Sequence, residues 1–443
     1  MGNIFVALGK EVSEGHVMIG KNANRPINEG QALIRIPRVD HFDKEVECSF
    51  ISIPQVSSTY EIIISKPYKL WGAEMGMNEF DLAVACSVVE GKNKFLQKND
   101  GLTAQDISRL ILERCSNPQE AIALVIELLE KYGQDVNQGS EAFPVYGNAT
   151  FVISNAEEAW IIETVGHEWI YKRINQFQVI SDTYVIGKDY EKHSENLISL
   201  AKKLNVQIDD NFSFKESFNR KLNFLEKDNA KIKEELLSNK LSEALTPRTG
   251  IELLKCHFKE SNFHPARSSN KDFCLHASGT KNAWQTASSM LVVLRKNSRS
   301  TCWMTGTSSP CVSIFKPFFI PGKNIYQGLY AEPSRFLDDS LWWKAENFIR
   351  EANLRYHKTQ KTFGPLIRKI QDDFLLKEHK LFEKESIDVE KMDALSDESL
   401  RIHSKRVMEW AYVLKKEGRP ISFRSPLYNS FLEKKTIEVT PLA

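Results

Sequence analysis

No charge of one sign dominates this 443-residue sequence: Lys and Arg number 59, Asp and Glu 58. That balance leaves no broad field to gather nucleic acid or anionic lipid, so neither is expected as a partner. Long apolar runs are missing too. None approaches the roughly 18 residues of a spanning helix, which excludes an integral membrane segment of that kind. The N-terminal stretch lacks a basic-then-apolar leader pattern, and a cytoplasmic protein is expected. Met1-Gly2-Asn3 opens as a myristoylation motif does, but Val6 stands where that motif needs Ser or Thr. Cysteine is sparse and scattered: Cys48, Cys86, Cys115, Cys256, Cys274, Cys302 and Cys311, with no C-x-x-C pair. Such spacing suits reduced thiols rather than a disulfide framework or a zinc site, so no metal and no cofactor is expected. G-x-S-x-G, H-E-x-x-H, Walker and G-x-G-x-x-G signatures are all absent. His167-Glu168-Trp169 comes nearest to a zincin string but lacks the second histidine.

What is present is a layered pattern. Ile4 to Leu8, Val17 to Gly20, Ala32 to Ile36, Cys48 to Ile53 and Tyr60 to Ser65 are short β-branched runs between Gly, Pro, Asn and Ser clusters. They are expected as strands. Consecutive apolar residues in Phe50 to Ile53 and Ile62 to Ile64 imply strands covered on both faces. Thr103-Ala104-Gln105-Asp106 and Asn117-Pro118-Gln119-Glu120 carry helix-start signals, and Gly133 supplies a stop. Strands are expected again at Thr150 to Ser154, Ala159 to Val165 and Trp169 to Arg173. About 189–258 reads as charged and helical, with Lys221 to Lys240 as a solvated face. A last strand group follows at Thr286 to Leu294, Thr301 to Thr305 and Ser313 to Ile320. From Pro333 to about Glu417 the pattern is helical, with Trp342 and Trp343 as docking residues. Strands, helices, strands, then helices indicate stacked α and β layers. On chemistry alone, Cys86 in Leu82-Ala83-Val84-Ala85-Cys86 reads as a small core residue, and His276 as a hydrogen-bonded structural histidine.

Several blocks carry a resemblance. Met1 to Leu8, Glu14 to Arg25, Glu47 to Ile53, Leu70-Trp71-Gly72-Ala73-Glu74-Met75-Gly76-Met77-Asn78-Glu79, Glu158 to Gly166, Thr286 to Ser288 and Ser313 to Phe318 occur in one order. This order resembles the secernins, within the C69 dipeptidase family of N-terminal-nucleophile hydrolases. The resemblance implies an α+β fold, a four-layer αββα sandwich with a helical C-terminal appendage. It divides the chain into a hydrolase-like domain at 1–330, with a helical insertion at about 189–258, and a helical extension at 331–443. It also implies a mature chain whose first residue supplies both a nucleophilic side chain and a free amine acting as base. In active relatives a Cys fills that position, whereas this sequence has Gly2; Asn24 replaces an Asp, and Lys21 stands where distant members use Arg. Glycine has nothing to attack a carbonyl with, and deleting a nucleophile costs on the order of 10⁶ in rate. The implied reading is a catalytically silent scaffold that binds a protein partner, with regulated secretion as the family's context. Two rivals stand beside it. One is an active dipeptidase or amide hydrolase using Cys86 as substitute nucleophile on a peptide or amide small molecule. The other is a structural component of a larger assembly. Trp71, Glu74, Asn78 and His276 are the candidates for lining the substrate cleft.

Overall fold

The computed structural model describes residues 2–89, 91, 100–134, 136–137, 148–204, 212–220, 228–241, 243–280, 282–322, 332–383, 388–417 and 426–441. In chain order the strands begin with β1 (Gly2–Ala7), β2 (Val17–Pro26), β3 (Gln31–Ile36), β4 (Val39–Asp40), β5 (Glu45–Glu47) and β6 (Ser52–Pro54). Next come β7 (Ser58–Thr59), β8 (Ile62–Pro67), β9 (Met75–Asn78), β10 (Ala83–Val89), β11 (Asn148–Ser154) and β12 (Ala159–Val165). The series ends with β13 (Glu168–Ile174), β14 (Gln178–Ile180), β15 (Lys192–His193), β16 (Trp284–Leu294), β17 (Thr301–Met304) and β18 (Lys316–Phe318). The helices are α1 (Ala104–Arg114), α2 (Pro118–Tyr132), α3 (Leu197–Lys203), α4 (Phe214–Phe218), α5 (Asn229–Ser238) and α6 (Pro247–Leu254). After them come α7 (Leu341–Leu354), α8 (Tyr356–Thr362), α9 (Gly364–Phe382), α10 (Val389–Lys416) and α11 (Pro426–Ile437).

Two antiparallel sheets carry the architecture. One has the order β14-β1-β2-β16-β17-β18, the other β15-β13-β12-β11-β10-β9-β8-β3. Strand alternation explains the layering. Ile4 and Val6 of β1, with Ile19 of β2 and Met290 and Val292 of β16, point inward to meet Ile63, Met77, Ala85 and Val152 of the other sheet. The intervening residues Phe5, Met18, Leu291 and Val293 point outward under α6, α7, α9 and α10. On the far side Ile62, Ile64, Val84 and Phe151 meet Ile107, Leu110, Val125 and Leu129 of α1 and α2. The fold is therefore a helix–sheet–sheet–helix sandwich, and the consecutive apolar residues of β8 serve both faces as expected.

Local signals place the helices. Thr103 and Asp106 form a reciprocal capping box at α1, Asn117 caps α2 with Pro118 at its first position, and Gly133 ends α2 at φ 67°. Trp342 and Trp343 are buried, and the Trp342 indole donates to the Ala287 carbonyl (3.0 Å), docking α7 on β16.

Three expectations are corrected. Cys48 to Ile53 is not one strand: Cys48 to Ile51 form the turn of the β5–β6 hairpin, where Cys48 N–H donates to Ile51 O (2.9 Å), and only Ser52 and Ile53 belong to β6. The Ser49 hydroxyl, anchored on Asp106 (2.6 Å), holds that turn. Ser313 to Ile320 contains only the short β18, because Lys316 turns its side-chain nitrogen back to the Ile314 carbonyl (3.1 Å). Of the Lys221 to Lys240 run, Lys221 to Lys227 lie outside the described residues, and Lys233 on α5 is buried rather than solvated. Its Nζ reaches Asn3 Oδ1 and Ser181 Oγ, both at 2.8 Å, with Asp182 at 3.7 Å.

Candidate active site

Gly2 opens β1 and pairs with Ala23 of β2, inside the sandwich. Its N–H donates to Asp182 Oδ1 (3.3 Å), and its carbonyl accepts from the Ser87 hydroxyl (3.1 Å). Alternation along β2 sends Lys21, Ala23 and Arg25 to the same inner face. A β-carbon at position 2 would collide with Lys21 Nζ, lie 3.1 Å from Lys21 Cε and crowd the Asn22 carbonyl oxygen at 2.5 Å. The direction in which a side chain at position 2 would leave the backbone is thus already occupied by the lysine.

That lysine belongs to a buried charge cluster. Arg25 Nη2 is 2.7 Å from Glu74 Oε1, Arg25 Nη1 is 3.4 Å from Glu29, and Lys21 Nζ is 3.9 Å from Glu74 Oε2. Gln105 on α1 adds a hydrogen bond to Glu74 (3.0 Å). Gly72 permits this approach, since a β-carbon there would overlap the α1 backbone at Gln105 and Asp106. Two cations face two carboxylates, which is the condition under which buried charge is tolerated. Burial alone would push the Glu74 carboxyl up, but Arg25 and Lys21 outweigh it and hold Glu74 below its ordinary range. Lys21 is shifted down by burial, only partly offset by Glu74. Its Nζ makes no hydrogen bond and has no exposure. The arrangement stores charge, but its lysine has no contact with solvent.

The other sequence candidates separate. Asn24 falls on the opposite face of β2, where its Oδ1 accepts from the Thr286 hydroxyl (2.9 Å). Cys86 points to the α1 side of β10, with its Sγ 3.8 Å from Ala73 O; burial pushes its thiol up to about 12. Asn78 is consumed by four backbone bonds, donating to Leu112 and Cys115 carbonyls and accepting from Phe80 and Leu82 amides. Trp71 lies under the Arg109 guanidinium (4.0 Å) and lines a different, open cavity of about 840 Å³ with Arg109 and Glu113. His276 stands beside His257, Cys274 and Cys311. Of the candidates, Gly2, Lys21 and Glu74 come together. Arg25, Glu29, Ser87 and Asp182 were not foreseen as their neighbours. The i, i+2, i+4 spacing of Lys21, Ala23 and Arg25 on one strand was the available signal.

Residues 45–231 match the model of Peptidase family C69. Among solved structures the chain is similar to penicillin V acylase from Agrobacterium tumefaciens, at 14% identity, 72% of this chain, 86% of that chain and TM-score 0.41. It is also similar to a mutant of conjugated bile acid hydrolase from Clostridium perfringens (14%, 69% and 88%, TM-score 0.36). A third is the Caenorhabditis elegans ortholog of N-acylethanolamine-hydrolyzing acid amidase (11%, 66% and 92%, TM-score 0.34).

Proposed function

With the match of residues 45–231 to Peptidase family C69 as premise, we propose that this chain is a hydrolase scaffold that no longer turns over peptides or amides and works by binding. One observation carries the reading: the space a nucleophile would need at position 2 is taken by the buried, charge-paired Lys21. The scaffold supplies a cytoplasmic protein partner with a rigid sandwich surface, in the setting of regulated secretion that the secernin resemblance adds. Cys86 is a poor substitute nucleophile. Its thiol is buried, faces away from Gly2 and is pushed up to about 12, where little thiolate forms at neutral pH.

The test is hydrolysis of a dipeptide panel by the purified full chain. Wild type gives no turnover above buffer, and Cys86→Ala changes nothing. Gly2→Cys alone also stays silent, because Lys21 and the Asn22 carbonyl obstruct the new side chain. Gly2→Cys with Lys21→Ala removes the lysine from that space, and turnover above that of Gly2→Cys alone would identify Lys21 as the obstruction. Wild-type turnover that disappears in Cys86→Ala would overturn the reading in favour of a working cysteine hydrolase.

A further inference from the structure

A second convergence of reactive side chains lies in the outer layer. His257 follows α6, Cys274 and His276 sit on the extended segment leading into β16, and Cys311 sits on the short turn Pro310–Val312. Their ligand atoms all lie within 4.8 Å of one another; three of the residues are buried and Cys311 is half-buried. His257 Nε2 is 3.4 Å from His276 Nε2, and the sulfurs of Cys274 and Cys311 are 3.5 and 3.3 Å from that same nitrogen. One imidazole nitrogen can serve a single neighbour with its proton or lone pair. Three groups closing on it are better explained by an atom at the centre. A tetrahedral zinc with Zn–N of about 2.0–2.1 Å and Zn–S of about 2.3 Å has N–N edges near 3.4 Å and N–S edges near 3.6 Å. The three separations to His276 Nε2 lie within about 0.3 Å of those edges.

We propose that His257, Cys274, His276 and Cys311 form a tetrahedral Cys2His2 site for a zinc ion. Four protein ligands leave no open position, so the site is structural rather than hydrolytic. The surrounding contacts hold the ligands in place. Phe263 stacks on the His257 ring at 3.5 Å between centroids, and the Ser268 hydroxyl accepts from the His276 amide (3.0 Å). Gln360 donates to the Cys311 carbonyl (3.3 Å), and the Tyr356 hydroxyl is 3.7 Å from its sulfur. A cavity of about 300 Å³, lined by His257, Phe263, Cys311 and Tyr356, with Glu252 and Glu260 also on its wall, gives an ion a way in.

The ion would clamp more than its own loop. The Phe273 carbonyl accepts from Asn3 and Asn22 side chains, both at 2.9 Å. The Leu275 amide donates to the Thr286 hydroxyl that in turn binds Asn24. Metal at His276 therefore braces the outer face of β1 and β2, directly behind the charge cluster. A spacing argument misses such a site because the ligands come from three separate segments.

Metal analysis of the full-length protein, purified under reducing conditions and loaded with Zn²⁺, tests this. About one zinc per chain is expected after desalting. In Cys311→Ser, chosen because Cys311 is the least buried ligand, retention falls at least about tenfold. Co²⁺ bound to the unmutated chain gives intense tetrahedral d–d bands and a thiolate charge-transfer band, which do not depend on any variant folding. Substoichiometric zinc, equal retention by wild type and Cys311→Ser, or a Co²⁺ spectrum without thiolate character would each overturn the proposal. So would a Cys274–Cys311 disulfide that persists under reducing conditions with Zn²⁺ in excess.

Discussion

The region around Gly2 and the region around His276 are both buried and polar, and they settle their electrostatics in opposite ways. Around Gly2, long flexible side chains of both signs neutralise one another: Lys21 and Arg25 against Glu74 and Glu29. Around His276, short side chains converge on one nitrogen from three chain segments, and no ion pair among them explains the convergence. The first region is where a resemblance points for chemistry, and its geometry closes the reacting position. The second lies where no motif points, and its geometry asks for a ligand. A site is therefore better judged by whether its groups are already satisfied than by whether it occupies an inherited position.

Removing the hub of the charge cluster should give the largest effect. Glu74→Ala leaves Arg25 and Lys21 facing each other without their shared carboxylate, and breaking a buried pair costs about 3–5 kcal/mol. Urea unfolding reads that loss directly. Lys21→Met should behave differently: Lys21 Nζ makes no hydrogen bond, so an apolar side chain of similar length is expected to be neutral or mildly stabilising. A loss from Lys21→Met as large as that from Glu74→Ala would break the distinction drawn between hub and filler.

Next in size is metal withdrawal from the second region. If zinc stands about a thousandfold above its dissociation constant, its removal costs about 4 kcal/mol of stability. A fall in melting temperature is expected when a chelator is added to the zinc-loaded chain, reversed by added Zn²⁺, with no such fall in Cys311→Ser. Thiol chemistry then sharpens the contrast at a smaller energetic scale. In metal-free protein Cys311, half-buried and with its thiol held low, should alkylate with iodoacetamide at least about tenfold faster than Cys86, whose thiol is pushed up to about 12. Zn²⁺ should protect Cys311 and leave Cys86 unchanged; mass mapping of the alkylated peptides decides it.

Much of the fold was legible because its signals are local. The capping residues Thr103 and Asn117 and the consecutive apolar residues of β1, β8 and β12 depend on neighbours in sequence. What escaped depended on distance along the chain. Lys233 reads as solvated because its helix is highly charged, yet it is paired 230 residues away with Asn3. Cys48 to Ile53 reads as one strand because its residues favour strands, but a hydroxyl contact 57 positions away turns it. The Gly2 region was half legible: Gly2 and Lys21 show in the sequence, while the crowding of position 2 by that lysine appears only once β1 and β2 pair. His257, Cys274 and Cys311 stand 19, 2 and 35 positions from His276, a pattern with no compact spacing to find.

A carboxyl refines the comparison between satisfied and unsatisfied charge. Glu163 on β12 is as buried as Glu74, but the groups that hold it are the Val185 and Ile186 amides (2.7 and 2.9 Å), where Glu74 has two cations. Burial outweighs those amides and pushes Glu163 up to about 7, from an ordinary 4.5. The folded chain then keeps a proton that the unfolded chain releases. This contribution to stability is fully present below about pH 4.5 and is lost as pH rises through about 7. Glu163→Gln cannot titrate, so the melting temperature of the variant should fall less than that of wild type between about pH 5 and 8. Parallel profiles for the two proteins would mean that the amides hold Glu163 ionised throughout, and that cations are not what separates its behaviour from that of Glu74.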